Sequence, residues 1–89
     1  MEEKIIKNEN DLLLSKEKNC LMLWNDDINE MGYIVAALHS ICGIDIERST
    51  QIMLTAHETG NAIITCGTYD EIHKMKNVLN SKGITATVE

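Results

Sequence analysis

From Asn19 to Trp24 the chain alternates, with Leu21 and Leu23 on one side and Cys20, Met22 and Trp24 on the other, and the run stops at Asn25-Asp26-Asp27. A period of two ended by turn-forming residues predicts a buried strand feeding a loop. At Met31 the period lengthens: Met31, Ile34, Val35, Leu38, Ile41 and Cys42 form a helical stripe, with Asn29 as the expected cap and Gly43 as the stop. A second helix is expected from Asp45 to Gly60, with Glu47 in its first turn and Ile46, Thr50, Met53, Ala56 and His57 along one side. Only Gly43-Ile44 separate these helices, so they should pack as neighbours. Ala62 to Cys66 is a short β-branched run suited to a central strand. Tyr69 to Ser81 returns to a helical period through Ile72, Met75, Val78 and Leu79, and after Gly83 the segment Ile84 to Val88 alternates as a last strand.

The expected order is β-α-α-β-α-β, an α+β two-layer domain in which helices cover one face of a three-stranded antiparallel sheet. Residues 1–17 hold no sustained period, and apart from Ile5-Ile6 and Leu12 to Leu14 they are charged or polar. They are expected to form a flexible tail ahead of one domain spanning 18–89. With 89 residues the chain has room for a single modest core, and having no Phe it must build that core from Leu, Ile, Val and Met.

Charge narrows the partners. The net charge is −6 and the eight Lys and Arg are scattered, so there is no basic stripe to neutralise phosphates, and neither nucleic acid nor an anionic membrane is expected. No basic region followed by an apolar stretch opens the chain, and no apolar run approaches the roughly 20 residues of a membrane span; a cytoplasmic, monomeric protein is expected. Cys20, Cys42 and Cys66 form no C-x-x-C pair and are expected as buried free thiols rather than a disulfide framework or a zinc site.

Three places could carry chemistry. Asn25-Asp26-Asp27 crowds a strand-to-helix turn with polar groups, although Asn and Asp are also ordinary turn residues, and one dipeptide offers too few oxygens for Mg²⁺ or Ca²⁺. His57 falls on the last turn of the second helix, where an imidazolium is favourably placed in any protein. Leu23, Met31, Ile34, Met53, Ala56 and Ile84 are candidate pocket residues that are more simply read as core. No nucleophile elbow, P-loop or H-E-x-x-H is present, so no enzyme class has a foothold.

Taken together, L-W-N-D-D-x-x-x-M at 23–31 and D-I-E-R-S-T-Q-I-M-L-T-A-H-E-T-G-N-A-I at 45–63 resemble the ClpS adaptor family, and the resemblance covers roughly residues 20–89. It implies a βααβαβ domain similar to the C-terminal domain of the ribosomal stalk protein. The implied role is to bind substrate proteins whose first residue is Leu, Phe, Tyr or Trp and to deliver them to a Clp AAA+ unfoldase, ClpA-like or ClpC-like, with no cofactor and no catalysis. By matching positions, Asn25, Asp27 and His57 would hold the ligand's α-amino group, with Asp26 beside the first peptide units. Leu23, Met31, Ile34, Met53, Ala56 and Ile84 would line the side-chain pocket, with Met31 as gatekeeper against β-branched residues. The chain departs from the family pattern at Asn29-Glu30, where Thr-Pro is usual, and at Ala56, where Val is common; the third helix matches poorly, so Asp70 and Met75-Lys76 are only approximate equivalents of unfoldase-contact residues. Two other readings compete: a family member that docks on the unfoldase without binding N-degrons, and a small acidic enzyme or metal protein built on Asp26, Asp27 and His57.

Overall fold

The computed structural model describes residues 18–89; the expected tail at 1–17, with Ile5-Ile6 and Leu12 to Leu14, lies outside them. The described chain runs β1 (Asn19–Trp24), α1 (Met31–Cys42), α2 (Ile46–Thr59), β2 (Asn61–Gly67), α3 (Tyr69–Ser81) and β3 (Ala86–Val88). All three strands pair antiparallel in the order β2-β1-β3, which makes β1 the centre of an α+β two-layer fold. The β-branched run Ala62–Cys66 therefore lies at an edge, not at the centre. Its Ile63 is 54% exposed while Ala62 and Ile64 face inward, because helices cover only one face of the sheet.

Alternation in β1 sorts its residues as expected. Leu21 and Leu23 are buried and Cys20, Met22 and Trp24 half-buried on the opposite face. The inward strand residues meet Ile34, Ala37 and Leu38 of α1, Ile52, Met53 and Ala56 of α2, and Ile72 and Leu79 of α3 in one core. The face of α2 keeps Met53 and Ala56 of the expected side but not its start. Ile46 is 51% exposed, and Ser49 with Ile52 faces the core instead. Burying the Ser49 hydroxyl is tolerable because it donates to the Ile44 carbonyl at 3.2 Å.

The caps explain why the helices stop where they do. Asp45 accepts from the Arg48 N–H and Thr68 from the Glu71 N–H, each three residues into its helix. At α1 the N-cap is Glu30, which makes no side-chain cap bond, and Asn29 is not the cap. The Asn29 amide is bonded elsewhere, as described below.

The cysteines depart most from expectation. Cys20 and Cys66 are joined by a disulfide, and Cys42 alone is free. Cys20 exchanges both its backbone hydrogen bonds with Glu89 on the β3 side, at 2.9 and 2.8 Å. Its pairing with Cys66 on the β2 side is thus a non-hydrogen-bonded one, the kind in which side chains stand closest, and the Cα atoms are 4.0 Å apart. Half-burial pushes the Cys42 thiol up to about 11.

Candidate functional site

β1 ends at Trp24, and the next backbone N–H, that of Asn25, donates to the Gly60 carbonyl at 2.9 Å. Gly60 adopts φ 103°, a conformation that glycine accepts without strain, and it turns the end of α2 into β2. The bond between them draws the start of the β1–α1 loop to the C-terminal end of α2, where His57 stands. Between these parts lies a small hollow of about 10 Å³, room for about one water molecule and partly open to solvent, lined by Leu23, Trp24, Asn25, Asp26, Met31, Ile34, Met53, Ala56 and His57.

Its floor is apolar: Leu23, Ile34, Met53 and Ala56 are all buried. Its rim is polar, with Asn25 and His57 exposed and Asp26 partly so. Met31, 45% exposed at the first turn of α1, stands over the apolar part. Eight of the ten residues singled out from the sequence thus border one hollow. The other two do not. Asp27 is exposed, because the turn closes on Asp26 and leaves its neighbour outside. Ile84 is 1% exposed and belongs to the core, its N–H donating to the Leu79 carbonyl as α3 ends. Trp24 was not foreseen, since alternation puts its ring on the opposite face of β1; there its indole N–H donates to Thr87 Oγ1 at 2.7 Å.

Asp26 organises the loop. Its Oδ1 accepts from the Ile28 and Asn29 backbone N–H at 2.8 and 2.9 Å, and its Oδ2 accepts from Asn29 Nδ2 at 2.6 Å. Burial opposes ionisation of this carboxyl, but the Asn29 backbone N–H, the Asn29 side-chain amide and the Ile28 N–H outweigh it and hold Asp26 below the ordinary carboxylate range. A lowered folded-state value means that the loop's bonds are complete above the ordinary Asp range and are lost only as pH falls through the lowered value. Among the described residues no group of three or more His, Cys, Asp or Glu is placed to hold a metal ion, and no helix is long and apolar enough to cross a membrane.

Comparison with known proteins bears on this arrangement. The family model described as ATP-dependent Clp protease adaptor protein ClpS matches residues 15–87. The ATP-dependent Clp protease adapter protein ClpS of Corynebacterium diphtheriae is 28% identical over 68 residues, which cover 76% of this chain and 60% of that protein. For the protein of the same description from Corynebacterium glutamicum (strain R) the identity is 26% over 68 residues, covering 76% and 68%. The chain therefore spans less than two thirds of the length of the first of these relatives. Among solved structures, that of Agrobacterium tumefaciens ClpS2 bound to L-phenylalaninamide shares the fold with a TM-score of 0.71 at 20% identity, covering 82% of this chain and 95% of that one. This chain belongs to the ClpS family of ATP-dependent Clp protease adaptors.

Proposed function

We propose that the chain is a non-catalytic adaptor that binds the first residue of substrate proteins when it is Leu, Phe, Tyr or Trp and delivers those proteins to a Clp AAA+ unfoldase. One observation carries this: four buried apolar side chains floor a hollow whose rim presents Asn25 and His57. A free α-amino group is largely cationic at neutral pH and offers three N–H donors, which an amide oxygen, an imidazole nitrogen and a carboxylate can accept. Asn25 and His57 supply the first two, and Asp27, exposed in the same loop, supplies the third. The adjoining side chain enters the apolar part once Met31, exposed at its mouth, swings aside to widen a hollow that otherwise holds about one water, and its burial is worth about 1.5–3 kcal/mol when complete. Met31 over the mouth disfavours side chains branched at Cβ. A net charge of −6 further suits a cationic group. The phenylalaninamide held by the Agrobacterium protein combines the same two features, a free amino group and a large apolar side chain.

Calorimetry with peptides that differ only in the first residue tests the proposal. Leu, Phe, Tyr and Trp should bind, and Val, Ile, Ala and Asp should not; no binding by any would favour an adaptor that docks on the unfoldase without peptide. Ala56 sharpens the expectation. It is 2% exposed on the pocket wall, where Val is common in the family, so the added space should favour the larger aromatic residues. Ala56→Val is expected to raise the Leu-to-Trp affinity ratio about threefold to tenfold, since a Leu side chain then fills its space and a Trp ring is crowded. An unchanged ratio means that Ala56 does not shape the pocket.

A further inference from the structure

Asn29 makes more of the loop's contacts than any other side chain except its partner Asp26. One amide hydrogen goes to Asp26 Oδ2 at 2.6 Å and another from the same Nδ2 goes to the Gly83 carbonyl at 2.9 Å, 54 residues away in sequence. Its backbone N–H donates to Asp26 Oδ1 at 2.9 Å. Beside it the Tyr33 hydroxyl donates to the Lys82 carbonyl at 2.8 Å. The loop and the first turn of α1 are thus pinned to two successive carbonyls of the turn between α3 and β3.

We propose that Asn29 is a positioning residue for peptide binding: by tethering Asp26 to the Gly83 carbonyl it holds Asn25 and Asp27 in place before a ligand arrives. The inference rests on the peptide-binding reading above and adds to it the device that sets the rim. Three facts support it. The chain contains no Pro, so no ring fixes φ in the loop, and Glu30 caps α1 without a side-chain bond. A loop left loose must be ordered when the peptide binds, and that cost weakens affinity. Finally, a carboxamide nitrogen offers two donors from one atom; a Thr hydroxyl offers one and a carboxylate none, so neither replaces both bonds.

The test uses full-length protein and the variants Asn29→Thr and Asn29→Asp, the latter nearly isosteric but without donors and with a like charge beside Asp26. Asn29 is half-exposed, so both variants should be folded at 25 °C, which melting curves check. Amide exchange in the absence of peptide should quicken about tenfold at Ile28 and Asn29 in Asn29→Asp, as the Asp26 bonds open. Affinity for a Leu-first peptide should fall about tenfold or more in Asn29→Asp and about threefold in Asn29→Thr. Exchange at both amides unchanged in Asn29→Asp overturns the tether. Faster exchange with wild-type affinity kept overturns the positioning role alone. Wild-type protein that ignores the free peptide sinks the peptide reading and the positioning role with it, while the exchange data still show whether the tether exists.

Discussion

Acetylating the α-amino group of a Leu-first peptide is expected to weaken its binding at least about a hundredfold. Acetylation removes the positive charge and two of the three donors, and hydrogen bonds to charged groups contribute about 1.5–3 kcal/mol each. The apolar side chain still finds its hollow, floored by Leu23, Ile34, Met53 and Ala56, but that contribution alone does not overcome the cost of association. On the protein side, His57→Ala and Asp27→Ala should each cost roughly tenfold at neutral pH. The sign with pH follows from the ligand: an α-amino group titrates near pH 7.7–8.0, so affinity should decline as the pH is raised through 8 while the acetylated peptide shows no such decline. Calorimetry at pH 7 and pH 9.5 reads both effects. Equal affinity for free and acetylated peptides would falsify the amino clamp and leave the hollow as a packing defect of the core.

Reducing the Cys20–Cys66 bond, or replacing either cysteine by Ser, should lower the melting temperature by about 10 °C or more. The bond closes a loop across a sequence separation of 46, and cross-links over loops of this size stabilise by about 2–4 kcal/mol, chiefly by restricting the unfolded chain. For a domain of this size each kcal/mol corresponds to about 4–8 °C. Cys42 should not confuse the measurement, because a thiol held near 11 carries almost no thiolate at neutral pH and exchanges slowly. Alkylation followed by mass spectrometry should count one reactive thiol before reduction and three after it, once unfolded. If oxidised and reduced protein melt together, the pair does not cross-link the fold in solution.

The elements that could be read from residue order were those with local causes. The α3 bounds follow from a Thr68 cap three residues before Glu71 and from a stripe that repeats through Ile72 and Leu79. The β1 bounds follow from strict alternation ended by polar turn residues. What escaped depends on partners remote in sequence. Asn29 looks like a helix cap until Gly83, 54 residues on, offers its carbonyl. Cys20 and Cys66 look unrelated until the β1–β2 register sets them opposite each other. The candidate site shows the same division: Asn25, His57, Leu23, Met53 and Ala56 of the hollow's lining stand in the two quoted motifs, whereas Ile84 lies in the core at the tight end of α3. Why Trp24 borders the hollow follows from its place between Leu23 and Asn25, two lining residues, and adjacency was the signal to use.

The cross-link has a mechanical side as well. Every residue that lines the hollow, from Leu23 to His57, lies between Cys20 and Cys66. A pull applied to the two ends of the chain enters β1 at one sulfur and leaves β2 at the other, so tension bypasses the intervening segment. Roughly 150 Å of contour is held out of reach of the force until the sulfurs part. Such a short circuit lets strain run past the hollow and its rim instead of through them.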